Sequence, residues 1–597
     1  MTRSSIPSRC IPSLALVALG LLGGLPACGS DGLESATSLD PPEEPYDPTH
    51  GRPGGTGTGT GTDGGPGSDS TGDDGPPPEP PPEGVWDWRD AIIYFVFVDR
   101  FHNGDPTNDD PIGGPVEPIA DWYGGDWQGV VDRIEEGYFN ELGVNTLWIT
   151  VPMDNTSAAG LGVGDPYMYA GYHGYWPSDL DATEEHFGTL EKLQELVMVA
   201  HDHDLKVIFD YAMNHVHADS PAYADNPGWF WPNDNGAGGD CVCGSGCSWD
   251  GEQGRRCWFT DYLPDFDFTN PEARAFSVDN AVGWAQQTGA DGFRLDAVKH
   301  IEEEWLVDLR ARALDELDRT GDDGQITQRF YMVGETFTGN AADIAYYVRE
   351  DMLDGQFDFP LRTQLVDKVL MRQGSLADLA GFMDGNDGFY GSGAVMSTFI
   401  GNHDLPRAVH YAEDVPRSGS DPWWNDKELG WTDPPPVPGG TSAFERLVVG
   451  FGIVLTTPGA PLIYYGDEIG MAGAGDPDNR RPMDWDTAGY TEGQTLVRDA
   501  IGALTAIRAG HPALRYGTRA TLSADVDTMS YAMELMVGDP ELDEVVYVAI
   551  NRADGANAVE GLPDGSYLDE LSGETVMVSG GSVDVPARWL RVLVPSG

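Results

Sequence analysis

The chain has 597 residues, with 98 Asp and Glu against 34 Lys and Arg, for a formal charge of -64. An apolar share of 40%, with 17 Trp, 23 Tyr and 21 Phe, can build a large core and still leave aromatic rings for a ligand surface, which excludes general disorder. So negative a field repels nucleic acid and anionic membranes, and favours neutral substrates or bound cations.

Residues 1–28 carry Arg3 and Arg9, an apolar run over 11–25 broken by Pro12, Gly20, Gly23 and Gly24, and the ending Leu25, Pro26, Ala27, Cys28. A stretch this short reads as an export signal rather than a membrane span. Its Leu-x-Ala-Cys ending resembles a bacterial lipobox, in which Cys28 is lipidated and becomes the new N-terminus; ordinary signal cleavage is the alternative. Residues 29–84, dense in Gly, Pro, Thr and Asp, cannot bury enough surface to offset their ordering entropy and read as a flexible tether. The expectation is an exported monomer, either a lipoprotein at the outer surface or in the periplasm, or an extracellular protein. It touches a membrane only through the anchor at Cys28.

Apolar β-rich runs then recur at 92–98 (IIYFVFV), 145–150 (NTLWIT), 206–210 (KVIFD), 292–296 (GFRLD), 331–335 (YMVGE), 397–400 (STFI) and 461–465 (PLIYY), with helical patterns such as 190–200 and 276–288 between them. Near-continuous apolar strands alternating with helices predict an α/β fold, a (β/α)8 TIM barrel over 85–512. The sixth unit, near 357–359, is short. The stretch from Asn214 to Asn270 is far longer than an ordinary strand-to-helix loop and predicts a small inserted domain at about 215–270, after the third strand. From about 513 to 597, short strands separated by Gly and Asp turns predict a C-terminal antiparallel β-sandwich. Cys241, Cys243, Cys247 and Cys257 crowd into the insertion. In an exported protein they read as two disulfides, with zinc as the alternative; a bridge between Cys241 and Cys243 is geometrically awkward, so each should reach Cys247 or Cys257.

Chemistry in such a barrel gathers at the C-terminal strand ends. There the third strand runs into 210–215 (DYAMNH), the fourth into 292–300 (GFRLDAVKH), the fifth into 334–337 (GETF) and the seventh into 399–404 (FIGNHD), with LPDFD at 263–267 in the insertion. In this order the motifs resemble the signature regions of glycoside hydrolase family 13, the alpha-amylase family, across residues 85–597. The stretches 123–129 (YGGDWQG), 172–176 (YHGYW) and 475–480 (GDPDNR) are similar to cyclodextrin glucanotransferases and their amylase relatives.

The resemblance implies a retaining alpha-amylase acting on internal alpha-1,4 bonds of starch-like or glycogen-like polysaccharide or oligosaccharide. Cleaving an acetal needs a proton on the leaving oxygen and a group to meet the charge that develops on the sugar carbon, hence two carboxyls in different protonation states. By the family pattern Asp296 is the nucleophile, Glu335 the acid and then base, and Asp404 the third carboxylate. Arg294, two residues before Asp296 on one strand, points the same way and can hold the aspartate ionised. His215 and His403 are expected to hydrogen-bond the reacting sugar, and Tyr175, within the motif of His173 and Trp176, to offer it a flat face. Asp476 and Arg480 belong to the non-reducing side, Lys299 and His300 to the leaving-group side. Asp210 is expected to be structural.

Calcium, one or two ions, is the implied cofactor. Asn214, Asp265 and the carbonyl of His300 match the family site between inserted domain and barrel, where hard oxygen donors suit calcium. Asn103, Asp105, Asn108, Asp109, Gly124 and Asp126 match a second loop, with a polar turn as the alternative. Two competing functions are a glucanotransferase and a glucan-binding surface protein with a dead barrel; the latter conflicts with the presence of all three carboxylates. Glucanotransferases carry an aromatic residue four positions before the equivalent of Asp265. Asp261 stands there instead, with Tyr262 one residue away, so linear products are expected over cyclic ones.

Overall fold

A computed structural model describes residues 79–162, 166–413 and 427–596. The expected export signal, Cys28 and the tether up to residue 78 lie outside the described residues. Among those described, no helix is long and apolar enough to cross a membrane.

The barrel strands are Ile93–Val96, Thr146–Ile149, Lys206–Tyr211, Gly292–Leu295, Tyr331–Gly334, Gly355–Gln356 and Leu462–Tyr464, all parallel to their neighbours. Every residue of the first, second, fourth and fifth is buried, which is why they read as unbroken apolar runs. The seventh place is taken by residues 395–399 through backbone hydrogen bonds. Ser397 N–H donates to Gln356 O at 2.9 Å, while Ala460 N–H and Leu462 N–H donate to Met396 O and Thr398 O, both at 2.8 Å. Those bonds join the sixth strand to the last, and the pairing of Ile93 with Leu462 completes the ring.

Aromatic rings fill the barrel. Phe95 and Trp148, register partners on the first two strands, stack at 3.7 Å, and Trp148 lies 5.3 Å from Phe357 of the short sixth unit. The surrounding helices start at side-chain caps: Thr189 before Leu190–Asp202, Asn270 before Pro271–Thr288, and reciprocal boxes at Ser375 with Asp378 and Thr491 with Gln494.

Two excursions stand on the C-terminal face. One follows the second strand and includes Met153–Asn155 paired with Pro177–Thr183, an element the sequence pattern does not reveal. The other is the expected insertion, whose two ends are drawn together by bridges of His215 with Asp265 and Phe230 with Phe266. It holds little regular structure, and two disulfides, Cys241–Cys247 and Cys243–Cys257, use up all four thiols that zinc would need.

After the short helix Ala513–Tyr516, eight strands form a six-stranded antiparallel sheet and a separate pair, Asn557–Glu560 with Ser582–Val585. Val559, Val583 and Val585 of the pair pack with Ala549, Tyr567 and Leu593 of the larger sheet, which makes the sandwich core. Leu590 from the same sheet is buried in the barrel core; a Cβ on Gly452 of helix Ser442–Thr456 would lie 2.3 Å from it, so the helix needs glycine there.

Candidate active site

Arg294 lies on the fourth strand with its guanidinium fully buried. Its Nη1 donates to Asp210 Oδ1 and to Asp296 Oδ1, both at 2.8 Å, and Nη2 stands 2.6 Å from Glu335 Oε2. Parallel register creates this meeting: Arg294 pairs with Asp210 on the third strand, and Leu295 with Gly334, the residue before Glu335. The cation has two rings close by, 5.1 Å from the Trp148 centroid and 5.8 Å from that of Tyr175. Ala297, immediately after Asp296, adopts a left-handed φ of 50°, a costly conformation that turns the chain sharply from the strand end into Val298–His300.

Burial pushes the Glu335 carboxyl up to about 8; Arg294 opposes this, and the charges of Asp404, Asp296 and Asp210 add to it. One carboxyl in the cluster is therefore protonated at neutral pH, and Glu335 is that one. Asp210 is also pushed upward by burial, but it accepts from the Tyr175 hydroxyl at 2.6 Å and from Arg294, which makes it the group that orients both.

A cavity of about 220 Å³ opens over Asp296. His173, Tyr175, Trp176, His215, His403, Asp404, Asp476 and Arg480 line it, as do Tyr169, Lys427, Phe259 and Leu263, which sequence reasoning missed. Leu263 opens the LPDFD motif without having been singled out; Tyr169, Lys427 and Phe259 carry no motif, and only the position of Phe259 two residues after a cysteine could have hinted at it. Tyr175 is aimed by Gly174, whose φ of 90° and contacts of 3.0 Å from a Cβ to Thr150 and Val151 leave room for glycine alone.

Burial lowers the pKa of His173, His215, His300 and His403, so these rings act as neutral hydrogen-bonding groups. His403 Nε2 sits 2.9 Å from the Tyr175 hydroxyl and 3.3 Å from Asp404, and its buried Nδ1 has no protein partner. His215 instead uses Nε2 on the Tyr175 carbonyl, at 2.9 Å, and so holds that ring in place. At one end of the cavity Arg480 bridges Asp476, at 3.0 Å, and Asp404, at 3.3 Å. Lys299 and His300 do not line the cavity: Lys299 pairs with Asp250 at 2.6 Å, and His300 Nδ1 donates to Gly254 O at 2.7 Å, with the His300 ring against Phe259, which does line it. Asp261 is exposed, and Tyr262 is half-buried, with its hydroxyl on Leu161 O and its ring against Trp176.

Two places could hold a cation. Both carboxylate oxygens of Asp265 and the Oδ1 of Asn214 are buried without a hydrogen-bond donor in good geometry. A buried carboxylate left bare is costly, and three hard oxygens converging where the insertion meets the barrel fit calcium. In the second loop Asn103 Oδ1 and Asn108 Oδ1 are likewise orphaned, and Asn103 Nδ2 donates to Asp109 at 2.9 Å. A Cβ on Gly124 would fall 2.3 Å from Asp109 Oδ1. Asp126, however, accepts from the N–H groups of Gly104, Asp105 and Gly129 and caps helix Trp127–Glu135, and Asp105 accepts from Thr107. These two carboxylates already have donors, so the second donor set is weaker than the first.

Among curated proteins, the chain is 30% identical over 515 residues to a beta/alpha-amylase of Paenibacillus polymyxa, covering 84% of this chain and 37% of that protein. It is 29% identical over 524 residues to a cyclomaltodextrin glucanotransferase of Paenibacillus macerans, covering 83% and 64%. The chain thus spans less than two thirds of either relative. Among solved structures, an Anoxybacillus alpha-amylase superposes with a TM-score of 0.68 at 27% identity, over 86% of this chain and 99% of that one. The alpha-amylase of Geobacillus thermoleovorans, solved with acarbose, superposes with a TM-score of 0.65 at 27% identity, over 85% and 98%. Residues 95–421, the segment that contributes Arg294 and its three carboxyl partners, match the alpha-amylase catalytic-domain family, and the chain belongs to that family of glycoside hydrolases.

Proposed function

We propose that the chain hydrolyses internal alpha-1,4 bonds of starch-like or glycogen-like glucans with retention of configuration. The observation that carries this reading is the buried guanidinium shared by Asp296 and Glu335, with Glu335 pushed up to about 8. Sharing one guanidinium holds both carboxyls at one centre, as a retaining mechanism, in which one carboxyl is the nucleophile and the other the acid, requires.

Glu335 gives its proton to the glycosidic oxygen as that bond breaks, while the Asp296 carboxylate bonds to the anomeric carbon from the opposite face. The departing sugar leaves as an alcohol. Glu335, now ionised, takes a proton from water, whose oxygen displaces Asp296 and completes the second inversion. Arg294 donates to Asp296 and orients it, and Asp404, gripped by Arg480, can hold sugar hydroxyls as the ring flattens. Tyr175 supplies an apolar face beside Asp296. A calcium ion held by Asn214, Asp265 and the His300 carbonyl would tie the insertion to the barrel. Residues 1–28 support export with a lipid anchor at Cys28.

A second reading, glucan transfer rather than hydrolysis, is favoured by the glucanotransferase similarity. The hydrated carboxylate of Asp261 argues against it, since it gives an incoming sugar no apolar face, while Tyr262 is engaged with Leu161 and Trp176. Incubation with soluble starch should yield linear maltooligosaccharides first seen by NMR as alpha anomers. Early accumulation of cyclodextrins would promote the second reading, and fresh beta anomer would reject the retaining mechanism.

The Glu335 proton is held through neutrality and lost as pH rises through about 8, so kcat/KM should fall on the alkaline side. The stability carried by the neutral carboxyl follows the same sign: complete below about 4.5, and lost as pH rises through about 8. Glu335→Gln should lower kcat by about 10²–10⁴-fold and abolish the alkaline limb. A Gln variant that keeps the limb would assign it to another group.

Chelation should lower the melting temperature and activity together, because an ion bound only by the folded state stabilises it by about 2.7 kcal/mol at a free concentration 100 times its Kd. Asp265→Ala should reproduce the chelated melting curve and no longer respond to calcium. Identical melting of the wild type with chelator and with calcium would remove the ion from this site.

A further inference from the structure

Beside the acid, a part of the insertion that no motif explains reaches the cavity through Phe259. Val298 N–H donates to the Glu335 carbonyl at 2.9 Å, so the turn Val298–His300 abuts the acid, whereas Arg480 and Asp476 stand with Asp404 at one end of the cavity. The proton passes from Glu335 to the departing oxygen, which puts the leaving sugar on the Val298–His300 side. There Trp249 stacks on Phe259 with centroids 5.3 Å apart, and the His300 ring meets both edge-on, at 5.0 and 4.9 Å. Asp250 holds Lys299, and Gly254 O accepts from His300. Phe259 lines the cavity together with Asp296.

Regular structure does not account for the order of this part of the insertion. Its helix, Gly251–Gly254, is a single turn, and the strands Val242–Cys243 and Gly246–Cys247 have two residues each. The four half-cystines are buried, at 0–8% exposure, and make a small core of their own on which Phe259 packs. Cys257 lies two residues before Phe259, and Trp258 between them is clamped by backbone bonds to Cys241 and Cys243, at 3.0 and 2.9 Å. The Cys243 and Cys257 sulfurs and a His300 ring nitrogen all lie within 4.8 Å of one another.

We propose that the disulfides Cys241–Cys247 and Cys243–Cys257 are positioning elements for the leaving-group side of the cleft, holding Phe259, Trp249 and the His300 ring in mutual register and so setting how tightly a sugar binds there. The inference rests on the glycosidase reading above. A sugar stacked on an aromatic face is bound through apolar contact that depends on ring placement, so loosening the knot weakens binding on one side of the cleaved bond and leaves the carboxyls around Arg294 untouched.

The test compares two substrates on wild type and on a Cys243→Ser, Cys257→Ser double variant. A linear maltooligosaccharide occupies both sides of the cleaved bond; α-maltotriosyl fluoride, whose leaving group is one atom, occupies only the donor side. The variant should lose about tenfold or more in kcat/KM on the oligosaccharide, mostly through KM, and remain within about twofold of wild type on the fluoride. Trp249→Ala with Phe259→Ala, disulfides intact, should show the same rise in KM on the oligosaccharide. Should the serine variant not fold, wild type reduced and thiol-capped after folding takes its place. Equal losses on both substrates, no loss on the oligosaccharide, or an unchanged KM in the aromatic variant would each overturn the proposal. A wild type inert toward both substrates would remove the glycosidase reading, and this inference with it.

Discussion

One buried cation organises the catalytic face of this barrel. The Arg294 guanidinium has no solvent contact and meets Asp210, Asp296 and Glu335 at once, so a single positive charge faces three carboxyls with a fourth, Asp404, close by. Three negative charges around one cation in a low-dielectric pocket are not sustainable, and the excess is relieved by keeping a proton on the carboxyl that burial disfavours most. That carboxyl is Glu335. The division of labour between an ionised and a protonated carboxyl thus follows from charge balance around Arg294, and the fold supplies the geometry through the parallel register that aligns Arg294 with Asp210 and Leu295 with Gly334.

The cation itself depends on the barrel filling. Trp148, stacked on Phe95, and Tyr175, held by Asp210 and by His215, both place their rings close to it. Tyr175 comes from the excursion after the second strand and His215 from the start of the insertion, so the two excursions meet over the centre and make the cavity between them. Asn214, next to His215, and Asp265, its bridge partner, leave buried oxygens bare at this seam, which is where an ion would couple the insertion to the reacting centre.

The barrel and the catalytic carboxyls were legible in the sequence because parallel strands are buried on both faces and polar residues at their ends stand out. The pattern was weaker wherever long-range contacts rather than local periodicity set the structure. Residues 395–399 join the ring through bonds to the sixth strand and to the segment entering the last one, and Met153–Asn155 pairs with Pro177–Thr183 across a long loop. The first is legible in part, as the apolar run 397–400; the second has no strong local signature. Phe259 and Trp249 sit among the cysteines, and their role became visible only when the disulfide pairing brought them to His300. Asp126 matches a metal-binding pattern in sequence and also accepts from three backbone N–H groups at the start of a helix, since the residue type that binds calcium also caps helices.

The central claim is that Asp296, held in place by Arg294, bonds to the sugar. A 5-fluoro-glucosyl fluoride slows both steps but keeps the first faster, so a covalent adduct accumulates and can be located by peptide mass spectrometry. The account predicts a single labelled peptide with the sugar esterified to Asp296, absent in Asp296→Asn. A label on Asp404 or Glu335 would contradict it, as would inactivation-free turnover with no adduct on any carboxyl.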